Sequence, residues 1–257
     1  MLSSVFNFRD VGGYKNMEGK EIRKGLLFRS GQLSNLSDSD IHILKKIEIK
    51  NCIDLRSEQE LKKYPQKIPE NIKYHIFDVL SDAKDSINPI VLEKMIRSPR
   101  EANEIFEKEK VEDFFIKAYR EIITMNSARK SFSNFFSLIS NRDELPALFH
   151  CTTGKDRTGW VSACFLKLMD VPEETIYKDY LLSNEYILPA YKKEIDYFLN
   201  NGGDISIIES ILGVKQEYLD AAFDEMEKIY GKIEDYFHIA LGIDYQKQEK
   251  IKKIFLH

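Results

Sequence analysis

The chain has little tryptophan, little cysteine, no excess of basic charge and no long apolar run, and each shortage removes a class of protein. Three cysteines in 257 residues, an odd number spread along the chain, do not make a disulfide framework. No apolar stretch reaches the roughly 18–20 residues of a membrane span, so no stable membrane insertion is expected. The first residues lack a basic stretch followed by an apolar run, so no cleavable signal peptide is expected and a cytoplasmic location is read, with export by another route left open. Lysine and arginine number 38 against 42 aspartates and glutamates, a net charge of −4. That balance argues against a nucleic-acid partner, and it means that any affinity for an anion must be local to a site. Repeats and low-complexity segments are also missing. The remainder, 43% hydrophobic and 31% charged, is ordinary globular composition and reads as one domain over 1–257.

What is present is organised around Ala147 to Gly159. Ala147, Leu148 and Phe149 read as a buried parallel strand ending in His150 and Cys151. A polar loop around Gly154 follows. From about Arg157, Val161, Cys164, Phe165 and Leu168 recur at helical spacing along one face. A cysteine at a strand tip just before a helix lies in an anion site. The first N–H groups of the helix have no internal partner, and the helix dipole places positive charge there. A tight loop adds further N–H groups. Arg157 offers a planar fork to two oxygens, and the same field favours thiolate over thiol at Cys151. The plainer alternative is a core cysteine beside a surface arginine.

The rest of the chain predicts an α/β fold: a mostly parallel central sheet flanked by helices, with a largely helical C-terminal third. Residues 1–25 read as turns or a small ribbon anchored by Phe6 and Phe8. Leu26 to Phe28 predicts a strand ending at Arg29 and Ser30, with Arg29 either a substrate contact or a surface ion pair. Ser37 to Asp40 starts a helix whose buried face is Ile41, Leu44 and Ile47. Asn51 to Leu55 is a strand, Ser57 to Glu60 a capping box opening a short helix, and Lys73 to Phe77 a strand ending at Asp78. Ser30, Asp54 to Arg56, Asp78 and Cys151 therefore all fall at C-terminal strand ends, where open α/β sheets build their sites. From Leu80 to about Glu112 the pattern weakens. The segment reads as a surface insertion or as a lid, about 80–118, with a short helix at Ile90 to Ile96. Helices follow at Phe114 to Ile123 and Asn126 to Ser140, and Pro172 opens another. Tyr218, Ala222, Met226 and Tyr230 mark a helix face read as core. Cys52 and Cys164 are likewise read as core.

The string His150-Cys151-Thr152-Thr153-Gly154-Lys155-Asp156-Arg157-Thr158-Gly159 resembles the phosphate loop of the bacterial protein tyrosine phosphatases that also act on phosphoinositides. Asn7 to Gly13, Leu27 to Ser30, Asp54 to Ser57, Asp179 to Asn184 and the stretch from Gly213 to Leu219 resemble the same family, so the likeness runs along nearly the whole chain. It implies a cysteine-dependent phosphatase that works through a cysteinyl-phosphate and needs no metal or cofactor. Its substrates would be phosphotyrosine, and also phosphoserine or phosphothreonine, in proteins, or phosphoinositide head groups. Cys151 would attack phosphorus. Arg157 and the loop from Thr152 through Thr153, Gly154, Lys155 and Asp156 would hold the equatorial oxygens. Thr158 could donate to the departing sulfur, and His150 would brace the loop.

Two roles stay open. Tyrosine phosphatases commonly protonate the leaving oxygen from an aspartate in a Trp-Pro-Asp loop, and the single tryptophan, Trp160, follows the phosphate loop instead. Asp156 and Asp78 are the candidates, with Asp82 and Asp85 behind them; the alternative for Asp156 and Asp78 is an ion pair holding Arg157 or Arg56. Lys155 resembles a lysine of phosphoinositide phosphatases and would favour multiply phosphorylated substrates, unless it is a solvent-facing charge. A phosphate-binding pseudophosphatase is the competing class. Oligomeric state is not legible.

Overall fold

The structure is a computed structural model that describes residues 2–83, 88–107 and 110–257. Its centre is a sheet of β1 (Arg9–Asp10), β2 (Leu27–Ser30), β3 (Asn51–Asp54), β4 (Lys73–Ile76) and β5 (Ala147–His150), in the spatial order β1-β2-β5-β3-β4. Only the β1–β2 pair is antiparallel; β2, β5, β3 and β4 run parallel. The chain moves outward from β3 to β4 and then returns to insert β5 between β2 and β3. The strand order thus reverses at β5, which puts the expected ligand crevice at its C-terminal end.

The three inner strands sort their side chains with the period of two that a pleated strand imposes. Leu27, Ile53, Ala147 and Phe149 enter the large core, whereas Phe28, Cys52 and Leu148 enter a smaller one on the opposite face. The smaller core is covered by α1 (Asp38–Ile47) and the N-terminal segment. Ser37 caps α1, but its buried face is narrower than the pattern predicts: Leu44 is buried while Ile41 and Ile47 are only partly so. Asp40 is buried instead, because its carboxylate accepts the backbone N–H groups of Ser3 (2.9 Å) and Ser4 (2.7 Å). Asp40, in the acidic first turn of α1, thereby ties the N-terminal segment to the sheet. The capping box of Ser57 and Glu60 opens α2 (Glu58–Lys63) as expected.

The large core is built by α5 (Val111–Thr124), α6 (Asn126–Ile139), α7 (Arg157–Leu168) and the C-terminal helices, after α3 (Pro89–Arg97) and α4 (Pro99–Phe106). Two helices thus stand where the sequence pattern gives one. Phe132, Phe135, Phe136 and Ile139 form the buried stripe of α6. Helix α7 differs from its one-faced reading, since every residue but Lys167 is buried. The cause is the helical C-terminal third, which comprises α8 (Glu173–Leu181), α9 (Ser183–Ala190), α10 (Lys192–Asn200), α11 (Ile205–Leu212), α12 (Gln216–Tyr230), α13 (Ile233–Asp235) and α14 (Tyr245–Phe255). Trp160 packs on Phe223 and Tyr236 with ring centroids 5.1 and 6.1 Å apart, so α7 has protein on its outer side too. The face of α12 carrying Tyr218, Ala222 and Met226 is core, as are Cys52 and Cys164. Among the described residues no helix is long and apolar enough to cross a membrane.

Candidate active site

The register of the sheet brings the strand ends level. Ser30 and Asp54 both pair with His150, so the loop after His150 leaves the sheet between the ends of β2 and β3. Cys151 is the first residue of that loop and only 1% exposed. Gly154 turns the loop at φ +71°, and a β-carbon there would lie 2.2 Å from the Ser30 carbonyl oxygen. Only glycine fits both the left-handed backbone and that approach.

The loop carbonyls are pulled outward one by one. Thr152 O accepts the Gln32 N–H at 2.9 Å. Thr153 O and Gly154 O accept the Asn7 amide at 3.2 and 2.9 Å. Gly154 O also accepts the Arg29 guanidinium at 2.8 Å. The Cys151 carbonyl lies 3.2 Å from His150 Nδ1. With the carbonyls held away, the N–H groups point the other way: among the described residues none from Thr152 to Asp156 is donated to a protein acceptor. That is the cradle an oxyanion requires.

The donors that pull on the loop are fixed in turn by Asp179. Its carboxylate takes Arg29 at 2.7 Å, Arg9 at 2.9 Å and the Tyr14 hydroxyl at 3.0 Å. Arg9 also bonds the Asn7 side chain. Arg29 is therefore neither a substrate contact nor a surface ion pair; it is wholly buried beneath the loop. Burial and the neighbouring Arg9 push its guanidinium down to about 10, against the pull of Asp179. Burial works against the ionised Asp179, but the two arginines hold its carboxyl below the usual range. His150 braces the loop as the sequence suggests. Arg56 donates to Gln66 Oε1 at 3.2 Å, which turns the Gln66 amide nitrogen to His150 Nε2 at 2.6 Å. The ring then carries its proton on Nδ1, toward the Cys151 carbonyl. Burial keeps this imidazole neutral by lowering its pKa.

Arg157 opens α7. Its two terminal nitrogens meet Glu60 at 2.8 and 2.7 Å, and one of them also meets the Leu55 carbonyl at 3.1 Å. Among the described residues three of its five N–H groups are thus engaged, which leaves Nε–H and one Nη2–H as a side-on pair for two ligand oxygens. Burial opposes ionisation of Glu60, yet Arg157, Thr152 and the Ser57 N–H hold its carboxyl down at about 2. Neither Asp156 nor Asp78 holds Arg157 or Arg56, since Arg56 pairs with Asp54 at 2.8 Å. The Thr158 hydroxyl is buried without a hydrogen-bond partner among the described residues.

Lys155 is not a solvent-facing charge. It is 2% exposed, with its ammonium 2.8 Å from Asp156 Oδ1 and 5.2 Å from the Phe115 ring centroid. Asp156 Oδ1 also accepts the Tyr119 hydroxyl at 2.8 Å. Both residues line a cavity of about 270 Å³ together with Thr152, Thr153 and Arg157. The rest of its lining is mostly apolar, with Leu80, Ile90, Ile96, Phe115 and Ile122, and also carries Glu93, Arg97 and Glu194. Asp78 faces a neighbouring cavity of about 260 Å³ instead, walled by Ser57, Glu58 and Asn88. Burial raises its carboxyl above the usual range, although it accepts the Leu80 and Glu58 N–H groups. Asp82 is occupied by Ser127 at the start of α6, and these hydrogen bonds outweigh burial to lower its carboxyl. Asp85 lies outside the described residues. Sequence reasoning missed Glu60 as the arginine's partner, Asn7 and Asp179 as anchors of the loop, and Tyr119. A glutamate in a capping box at the end of β3 was the available sign for Glu60; Tyr119 offered none.

A cysteine ending the central parallel strand, a cradle of free N–H groups and an arginine heading the next helix define a cysteine-dependent phosphatase. The family described as the tyrosine phosphatase family matches residues 1–257, and the chain belongs to it as a phosphoric monoester hydrolase. It is similar to the triple specificity protein phosphatase PtpB of Mycobacterium tuberculosis, 28% identical over 278 residues that cover 99% of this chain and 98% of the relative. It is similar too to a putative tyrosine-protein phosphatase of Cupriavidus necator, 28% identical over 243 residues, 95% of this chain and 84% of that one. Among solved structures it matches the core catalytic domain of the PP-IP phosphatase SIW14 from S. cerevisiae over 77% of this chain and 86% of that chain. The two are 14% identical there, with a TM-score of 0.32.

Proposed function

We propose that the protein hydrolyses phosphotyrosine in phosphorylated proteins through a phosphate ester on Cys151. The observation that carries this reading is that loop residues whose N–H groups have no protein acceptor and a mostly apolar wall line one cavity. The cradle suits the phosphoryl group, and the wall suits an aromatic ring. In the first step the Cys151 sulfur forms a bond to phosphorus as the bond to the aryl oxygen breaks and an aspartic acid protonates that oxygen. In the second, water bonds to phosphorus, the S–P bond breaks, and the same carboxylate takes the water's proton. The Arg157 side-on edge and the loop N–H groups hold the three equatorial oxygens throughout. The free Thr158 hydroxyl donates to the departing sulfur.

Asp156 is the acid in this reading, because it lines the cavity that Arg157 lines, and Asp78 is the alternative on the strength of its raised carboxyl. Helix α3 acts as a lid in this reading, since Pro89, Ile90 and Ile96 line the same cavity as the loop. A second substrate class, phosphoserine, phosphothreonine or phosphoinositides, is favoured by the buried ammonium of Lys155 in the loop and by the triple specificity of the mycobacterial relative.

The test is turnover in EDTA on a phosphotyrosine peptide, a phosphoserine peptide and a short-chain phosphoinositide, by wild type, Cys151→Ser and Lys155→Ala. Wild-type turnover of the phosphotyrosine peptide that Cys151→Ser abolishes supports the reading. A Lys155→Ala loss confined to the phosphoinositide assigns the second class to that lysine. Binding of all three by wild type without turnover leaves a phosphate-binding module in place of an enzyme.

A further inference from the structure

Helix α5 lies outside the phosphate loop, yet two residues one turn apart on it meet two consecutive residues of the loop. Phe115 lies beneath the Lys155 ammonium, 5.2 Å from ring centroid to nitrogen, and Tyr119 donates its hydroxyl to Asp156 Oδ1 at 2.8 Å. Residues i and i+4 share a helix face, so one face of α5 sets both side chains. Tyr119 is itself held: the Tyr180 hydroxyl of α8 donates to it at 2.7 Å, and its ring packs against Tyr180 and Tyr218. Among the described residues the hydroxyl chain runs one way, from Tyr180 through Tyr119 to Asp156.

The carboxylate has a competing partner. Lys155 Nζ reaches the same Oδ1 at 2.8 Å. Without a second donor the Asp156 side chain can turn onto the ammonium and give both oxygens to it. With the Tyr119 hydroxyl in place, Oδ1 carries both hydrogen bonds, and Oδ2 is left for a proton in transit. Preorganisation of this kind matters because proton transfer requires the donor oxygen within hydrogen-bond reach of the leaving group.

We infer that Tyr119 is a positioning residue for proton transfer by Asp156, holding the carboxyl so that Oδ2 faces the leaving oxygen. This rests on the reading of Asp156 as the acid. Tyr119 takes no proton from the substrate; it acts through Asp156, with Tyr180 behind it.

The test compares phenyl phosphate, whose leaving group must be protonated, with dinitrophenyl phosphate, whose leaving group departs as the anion. Tyr119→Phe keeps the ring and removes the hydroxyl. Its kcat/KM on phenyl phosphate, which reports formation of the phosphoenzyme, is expected to fall about tenfold, while kcat/KM on dinitrophenyl phosphate stays within about twofold of wild type. Tyr180→Phe is expected to give a smaller loss in the same direction. Equal losses on both substrates, or no loss on phenyl phosphate, would overturn the inference. Asp156→Asn separates it from the reading beneath it. If Asp156→Asn shows the selective loss on phenyl phosphate and Tyr119→Phe does not, the acid stands and the positioning role falls. If Asp156→Asn shows no selectivity, both fall. In the Asp156→Asn background, Tyr119→Phe is expected to add no further selective loss, and an added one contradicts action through Asp156.

Discussion

Glu60 and Arg157 meet through two parallel bonds of 2.8 and 2.7 Å, so that the guanidinium is gripped by its end and presents its side to the cavity. The pair is nearly inaccessible, with side chains 1% and 6% exposed. Glu60 thus decides which edge of Arg157 a phosphate meets. Glu60→Gln is expected to lower kcat/KM on aryl phosphates by about 10- to 100-fold, because the arginine remains but is no longer held bidentately. Steady-state kinetics on phenyl phosphate check this; wild-type kinetics in the variant would remove Glu60 from the phosphate site.

The same pair predicts a pH dependence of stability. The folded carboxyl of Glu60 sits at about 2, below the ordinary 4.5. A depressed carboxyl stabilises the fold fully above its unfolded value and loses that contribution as the pH falls toward its folded value. Wild type should therefore lose more unfolding free energy than Glu60→Gln between about pH 5 and about pH 3 in urea titrations. Parallel pH profiles for the two would contradict the assignment.

Asp179→Ala tests the network under the loop. It leaves the buried guanidinium groups of Arg9 and Arg29 without their carboxylate. Breaking a buried ion pair from one side costs about 3–5 kcal/mol, which for a chain of this size lowers Tm by about 10 °C. Arg29→Met should cost less stability, because it removes the charge with it. It should still lower kcat by releasing the Gly154 carbonyl, which Arg29 holds at 2.8 Å. Calorimetry and phenyl phosphate kinetics read the two effects separately.

Gly154→Ala places a methyl group 2.2 Å from the Ser30 carbonyl oxygen at a positive φ. The left-handed backbone alone costs about 1–2 kcal/mol, and relieving the clash must move the loop away from β2. Loss of more than about 100-fold in kcat/KM is expected, since displaced N–H groups no longer meet the phosphoryl oxygens. Retained vanadate inhibition at wild-type potency would contradict that displacement.

Much of this arrangement is legible in sequence because it is local. The short apolar runs Leu26 to Phe28 and Ala147 to Phe149, the capping box at Ser57, and the spacing from Cys151 to Arg157 each involve neighbours along the chain. What escapes is the pairing of distant charges. Asp179 is 150 residues from Arg29, and Glu60 is 97 from Arg157. No periodicity marks such partners. Asp40, with the look of a helix-start charge, is buried for the same reason: the backbone N–H groups it satisfies belong to Ser3 and Ser4, more than thirty residues earlier. Helix α7 shows the complementary failure, because its outer side is covered by residues beyond Pro172 that a local reading cannot bring to it.

The central claim is a phosphate ester on Cys151, and acid quenching during turnover of dinitrophenyl phosphate tests it most directly. Mass spectrometry of the digested enzyme should find phosphate on the peptide carrying Cys151, absent from Cys151→Ser. Full turnover with no adduct on that peptide, or turnover that survives Cys151→Ser, would contradict it.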